Sequence, residues 1–243
     1  MKCPGQDSRF WKQDAIYEVS CPQCEATVEF FKDDTTHRCP KCGHQFVNPH
    51  MDFGCAAYCK FAEQCIGSMP PELLAQREEL LKDRIAIEVK KYFGRDFRRI
   101  SHATRVARHA EAIGAEEGGD MAVVMAAAYL HDIGLPEAEK KSGETAEGSH
   151  EQEGPPIARE ILQRLGAAEG LIEEVCNIIA RHHRPGEEES LNFMALYDAD
   201  RIVNLEDRHK EEPITADQAG RIIENELYTG AGKAIARQVL TAS

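Results

Sequence analysis

Beyond residue 70 the apolar positions recur every three or four residues, which is the period of an amphipathic helix. The segment PPELLAQREELLKDRIAIEVKKYFG (70–94) opens on prolines and closes on Gly94, so it predicts a helix with both ends marked. The same period predicts further helices at about 97–114, 119–132, 150–165, 168–183, 190–206, 215–228 and 231–241. In SHATRVARHAEAIG the apolar face is Val106, Ala110 and Ile113. Little room is left for strands after residue 70. Pro155 and Pro156 sit badly inside a helix and are expected to mark a kink or a restart just beyond His150. The polar stretch PEAEKKSGETAEGS (136–149) predicts a flexible loop, and EEE (187–189) a solvated one. The pattern before residue 70 differs. There ATVEFF (26–31) predicts a strand and KDDTT (32–36) a turn, as in a β-hairpin.

The chain has 243 residues, enough for one large domain or a medium one with a small appendage. Its net charge of -13 argues against a nucleic-acid-wrapping surface, which needs clustered Lys and Arg. Residues 1 to 70 are mildly acidic as well, with nine Asp or Glu against seven Lys or Arg. The longest apolar run, MAVVMAAAYL (121–130), is about half the length of a bilayer-spanning helix, and MKCPGQD lacks the apolar core of a signal peptide. A cytoplasmic protein without membrane partners is expected.

Eight of the nine cysteines lie within the first 65 residues. In a reducing compartment they are better used as thiolates on metal than as disulfides. CPQC (21–24) and CPKC (39–42) form two CxxC knuckles with fourteen residues between them. Four thiolates from Cys21, Cys24, Cys39 and Cys42 at that spacing resemble a zinc ribbon, in which a coordinatively closed zinc replaces the core that so short a segment cannot build. Cys3, Cys55, Cys59 and Cys65 are a candidate second set, since Cys55 and Cys59 stand one helical turn apart. Zinc, an iron-sulfur cluster and unliganded thiols all remain open for it. Cys176, on the apolar face of LIEEVCNIIARHH, reads as a buried core thiol.

A second constellation lies wholly after residue 100. His102, His131, Asp132, His150, His182, His183 and Asp200 form an ordered series of imidazoles and carboxylates, ligands suited to Fe, Mn, Zn, Ni or Co. A carboxylate can bridge two ions and an imidazole cannot, which makes Asp132 the natural bridge. His131 and Asp132 end an apolar helix, where polar groups buried without partners are costly and a metal compensates. Asp198 lies about 200° round a helix from Asp200 and does not share its face. His37, His44, His50, His109 and His209 stand outside the series and are left structural or exposed.

The strings SHATRV (101–106), YLHDIG (129–134), SHEQEG (149–154), ARHHRPG (180–186) and LYDADR (196–201) closely resemble the HD-domain metal-dependent phosphohydrolase superfamily. That resemblance implies a mainly α fold, here an HD helical bundle (95–243) joined by a connecting helix (70–94) to a Cys-rich zinc-ribbon-like domain (1–69). It implies that His102, His131 and Asp200 share one ion, and that Asp132 bridges to a second. The second ion would be held by His150 with one or both of His182 and His183, as in the dinuclear members. Adjacent helical residues point about 100° apart, and His182 is preferred over His183. Many members carry a Lys soon after the HD pair. This chain has Leu135 there, so Arg105, Lys140 and Lys141 are the remaining candidate substrate-side cations, the two lysines on the expected lid. The implied activity is hydrolysis of a phosphoester or phosphoanhydride of a nucleotide or small phosphorylated metabolite by metal-activated water. Two other readings compete: a di-iron oxygenase of the same superfamily, and a nucleotide sensor or scaffold whose ribbon binds a protein partner.

Overall fold

A computed structural model describes residues 16–31, 34, 36–50, 71–142 and 149–241. Cys3, Cys55, Cys59 and Cys65 lie outside the described residues. The chain divides into two compact units between Arg77 and Glu78.

The first unit is built on four short strands: β1 (Ile16–Ser20), β2 (Thr27–Phe31), β3 (Thr36–Arg38) and β4 (Gln45–Val47). They pair antiparallel as two separate hairpins, β1 with β2 and β3 with β4. This corrects the expected hairpin between the two knuckles: the KDDTT stretch joins strands of different sheets, and each CxxC lies in the turn of its own hairpin. The reason is local hydrogen bonding. The Cys21 N–H reaches Ala26 O at 2.8 Å and the Glu25 N–H reaches Cys21 O at 2.9 Å, and Cys39 repeats the pattern with His44 and Gly43. Gly43 takes φ 74°, a left-handed turn conformation open to glycine. Alternation on β2 buries Val28 and Phe30 opposite Val19 and Tyr17. Phe30 meets Phe46 edge-on at 5.3 Å, so a small apolar cluster backs the sulfurs.

That cluster is too small to carry the unit by itself. Substituting Cys21 by Ser is therefore expected to release one equivalent of thiolate-bound metal and to abolish the β-structure, while the thermal transition of the helical unit stays within about 2 °C. Zinc analysis and circular dichroism of the full chain check this. Unchanged strand content after metal loss would show that the apolar cluster suffices.

The second unit is helical. It comprises α1 (Pro71–Phe93) from Glu78 onward, α2 (Phe97–Glu117), α3 (Met121–Leu130), α4 (Leu135–Ser142), α5 (Ser149–Leu165), α6 (Glu169–Ile179), α7 (Leu191–Glu211), α8 (Ala216–Glu226) and α9 (Gly230–Thr241). Leu81, Ile85, Val89 and Phe93 of α1 recur every fourth residue and join the main core. Gly94 ends this helix at φ 61°, its N–H on Lys90 O at 3.0 Å. At the centre is α3, which is apolar on all sides: Val123 to Ala128 and Leu130 are all buried. It packs on α2, α6 and α7, and each large side chain buried there contributes about 1.5–3 kcal/mol. Asp120 caps its start, accepting from the Ala122 and Val123 N–H groups.

Two helical expectations change. Residues 135–142 are helix α4, not a flexible loop: Glu137 in its first turn and Lys140 and Lys141 in its last suit the helix dipole. Residues 143–148 lie outside the described residues. Helix α5 runs from Ser149 to Leu165 with Pro155 and Pro156 inside it. The two prolines withhold the N–H groups that the Glu151 and Gln152 carbonyls would accept. Packing holds the helix instead, through Gly154 against Ile179 and through buried Ala158, Ile161 and Leu162. Cys176 is a buried thiol, its Sγ 3.4 Å from Pro155 O, and burial pushes its pKa up.

Candidate metal centre

Two helices end at the same place and deliver their histidines in the same way. His131 follows the last turn of α3, and its Nδ1 lies 2.9 Å from Ala128 O. His182 follows α6, and its Nδ1 lies 2.8 Å from Ile179 O. A carbonyl can only accept, so Nδ1 carries a proton in both rings and Nε2 is the atom turned to the site. The carbonyl ends of α3 and α6 also favour positive charge there.

Around these two rings stand His102 from α2, Asp132 from the turn after α3, His150 from the first turn of α5, and Asp200 from α7. His102 Nε2 is 3.1 Å from Asp200 Oδ1 and 3.3 Å from His131 Nε2. The two oxygens of Asp132 face different partners. Its Oδ2 lies 3.4 Å from His131 Nε2 and 3.7 Å from His102 Nε2. Its Oδ1 lies 3.6 Å from His150 Nε2 and 3.8 Å from His182 Nε2. His102, His131 and Asp200 form one group of converging ligand atoms, and Asp132, His150, His182 and His183 a second, each within 4.8 Å.

These groups fit divalent ions. Ligands about 2.1 Å from a common ion stand about 3.0 Å apart in octahedral and about 3.4 Å apart in tetrahedral arrangement, close to the shorter separations found. The Nε2 atoms of His150 and His182 are buried without a hydrogen-bond partner among the described residues, a cost of about 1–3 kcal/mol each that a bound cation removes. Charge points the same way. Burial alone would raise Asp132, but the His131 and His182 imidazoles hold it well below the usual carboxylate range. Burial pulls His131 down, yet Asp132 and Asp200 outweigh it and hold this ring at about 9. His150 is lowered and His183 is brought to about 4, in both cases first by burial, and for His183 next by the His182 ring beside it. Of the adjacent pair, His182 is buried and aimed inward. The His183 side chain is 43% exposed, with Nδ1 4.0 Å from Asp200 Oδ2, so the geometry favours His182 as the ligand.

A second layer fixes these groups, and it includes residues that the sequence reading missed. Asn204 donates to Asp200 Oδ1 at 3.1 Å. Its place one turn after Asp200 is a signal that could have found it. Glu151 is buried beside His150. Its Oε1 accepts the His183 N–H at 3.0 Å and its Oε2 accepts Arg184 Nε at 2.8 Å, which pins the HHR turn. Nothing in the polar string SHEQEG marked it. Asp198 points away, as expected, and accepts from Tyr228 N, Thr229 N and Thr229 Oγ1 to anchor the start of α9. His109 pairs with Glu206 at 3.0 Å.

The centre opens into a cavity of about 760 Å³, within the usual range for small-molecule sites. The candidate substrate-side cations are placed differently from expectation. Arg105 lines the cavity, but its guanidinium is engaged by Glu206 and by both oxygens of Asp207, at 2.7 and 2.8 Å. Lys140 pairs with Glu137, and Lys141 with Glu153 at 2.6 Å. Both lie on exposed positions of α4, whereas Leu135 and Glu139, one turn apart, line the cavity. The helical form of α4 turns the two lysines off that face.

The amino-terminal sulfurs converge as well. Cys21 and Cys42 Sγ are 3.7 Å apart, and Cys24 and Cys39 Sγ are 3.6 Å apart. A zinc-sulfur bond of about 2.3 Å in a tetrahedron requires about 3.8 Å between sulfurs, whereas a disulfide requires about 2.0 Å. The Cys42 backbone N–H holds Cys39 down at about 6. Cys42 receives the His44 N–H, but burial and the neighbouring sulfurs push it up to about 12. A cluster of thiols that cannot all ionise together is one that a cation stabilises.

The HD domain family model matches residues 99–209. Among solved structures the chain is similar to a predicted HD superfamily hydrolase from an uncultured Thermotogales bacterium, at 28% identity, covering 65% of this chain and 84% of that chain with a TM-score of 0.49. It is also similar to an HD-superfamily hydrolase from Bacillus thuringiensis, at 20% identity over 66% of this chain and 89% of that one, TM-score 0.46. Bacillus subtilis YpgQ is similar at 19% identity over 67% and 89%, TM-score 0.45. No curated protein matches the chain. Residues 99–209, which contain all seven clustered histidines and aspartates, match the HD domain family model, and Cys21, Cys24, Cys39 and Cys42 fit a zinc-ribbon-like extension that precedes them in sequence.

Proposed function

We propose that the protein is a metal-dependent phosphohydrolase that cleaves a phosphoester or phosphoanhydride bond of a nucleotide or another small phosphorylated metabolite. The observation that carries this reading is the division of Asp132, with Oδ2 toward His102 and His131 and Oδ1 toward His150 and His182. His102, His131, Asp132 and Asp200 would hold one divalent ion, and Asp132, His150 and His182 the other. When bound, such ions supply the acidity that ionises an attacking water and the positive charge that offsets the phosphoryl oxygens.

The chain's own part is positioning. The Ala128 and Ile179 carbonyls fix two imidazole tautomers, Asn204 holds Asp200, and Glu151 anchors the turn that carries His182. The cavity leaves room for substrate beside the ligands. The ribbon is proposed to be structural or to contact a protein partner, since four thiolates around one zinc leave no open position. No helix among the described residues is long and apolar enough to cross a membrane, and we propose a cytoplasmic setting.

Elemental analysis of freshly purified protein, together with a panel of phosphatase and phosphodiesterase substrates, tests this. About two equivalents of Fe, Mn, Zn, Ni or Co beyond the thiolate-bound zinc are expected, with phosphate release that a chelator abolishes. Oxygen uptake without phosphate release would establish the di-iron oxygenase reading instead. Nucleotide binding by the metal-loaded protein without turnover would establish a sensor.

A further inference from the structure

The two halves of the histidine-aspartate cluster differ in charge. His102, His131 and Asp200 include a carboxylate of their own, whereas His150, His182 and His183 offer only imidazoles and share Asp132 with the other half. Imidazoles coordinate as neutral groups, so a divalent ion on the Oδ1 side of Asp132 meets less opposite charge from its ligands. The Nε2 atoms of His150 and His182, buried without a hydrogen-bond partner among the described residues, both belong to this half.

A carboxylate stands directly behind it. Glu151 follows His150 in the first turn of α5, and its side chain is wholly buried. Its Oε1 accepts the His183 N–H at 3.0 Å and lies 4.0 Å from His182 Nδ1, the ring nitrogen turned away from the site. Its Oε2 accepts Arg184 Nε at 2.8 Å. The Arg184 side chain is 65% exposed, so water screens its charge more strongly than that of the buried carboxylate. Burial lowers His150, and against it Asp132 and, more weakly, Glu151 favour positive charge on that ring. Pinning the turn at 182–184 needs only an acceptor, and a neutral one would avoid the cost of burying a charge.

We infer that Glu151 is a positioning residue, supplying from behind the ligands the negative charge that the His150 side lacks. It thereby sets the affinity of that half for a divalent ion, while the half of His102, His131 and Asp200 is little affected. This rests on the two-ion arrangement of the proposed function and on no particular substrate. The Ile179 carbonyl takes the His182 Nδ1 hydrogen bond and fixes the tautomer, and the carboxylate beside that N–H makes Nε2 a stronger donor to a metal. It also lowers the electrostatic cost of a second cation beside the first.

The test uses the full-length chain with Mn2+ in its HD centre, so that manganese released to a graded chelator is distinct from the zinc of the ribbon. The parent is expected to release manganese in two steps and to show the magnetic resonance of a spin-coupled pair. The step missing in His150→Ala identifies the ion on the Oδ1 side. Glu151→Gln keeps the shape of the side chain and an acceptor for the His183 N–H but removes the charge. In it this ion is expected to be held about 10–100-fold less tightly, with the other within about twofold and the coupled signal lost at chelator levels that the parent tolerates. Arg184→Ala separates charge from packing, because it frees one end of the turn and leaves the carboxylate. There the same ion is expected to be held at least as tightly as in the parent. Circular dichroism verifies the fold of each variant, and if Glu151→Gln does not fold, the direction of change in Arg184→Ala decides. Three results would overturn the inference: Glu151→Gln holding both ions as the parent does, Glu151→Gln losing both equally, or Arg184→Ala weakening the Oδ1-side ion. A parent that takes up a single manganese would defeat the two-ion arrangement itself, and this inference with it.

Discussion

Replacing Asp132 with alanine is expected to lower metal content in both halves of the HD centre and to reduce hydrolysis by about 10³-fold or more. Each oxygen of Asp132 faces two imidazoles, Oδ2 those of His102 and His131 and Oδ1 those of His150 and His182, whereas Asp200 turns only its Oδ2, at 4.0 Å, to the exposed His183. The loss therefore differs in kind from that in His150→Ala, where only the Oδ1 side loses a ligand and mainly one ion should go. Removing the carboxylate also withdraws the charge that most strongly supports a cation beside His131. Metal analysis of the two variants beside the parent distinguishes the cases. An unaltered metal count in both would defeat the dinuclear arrangement.

The site was legible in the sequence because its chemistry is carried by residue type and order. Histidine and aspartate at the ends of apolar helices cannot be explained as core, and the helical period placed each on, or within three residues of the end of, a helix that does occur. What was hidden depended on which surfaces meet. Glu151 is a carboxylate in a polar string, and only the fold shows that the backbone of His183 and the side chain of Arg184 close over it. Helix α4 is eight residues long with one buried apolar side chain, Ala138, too little periodicity to distinguish it from a loop. The pairing of β1 with β2 across the first knuckle was hidden for a similar reason. IYEVS has no fully buried position, and its role is set by the knuckle hydrogen bonds that follow it.

Gly134 follows the HD pair, and its role is close approach rather than a left-handed backbone, since it is not among the glycines with positive φ. A Cβ at this position would lie 2.2 Å from the His150 carbonyl oxygen and 2.5 Å from the Gly154 nitrogen. Both are backbone atoms of α5, so no side-chain rotation relieves the clash. The helix itself has to move, and His150 moves with it, away from Asp132 Oδ1 at its present 3.6 Å from the imidazole. Gly134→Ala is thus expected to cost about 3 kcal/mol of stability, which for a unit of this size lowers its melting temperature by roughly 6–12 °C. It should also lose the ion on the His150 side in preference to the ion held by His102, His131 and Asp200. Scanning calorimetry and metal analysis of the same preparation read both effects. A variant that melts as the parent does and keeps both ions would mean that α5 can shift without consequence, and that the contact between Gly134 and Gly154 does not set the position of His150.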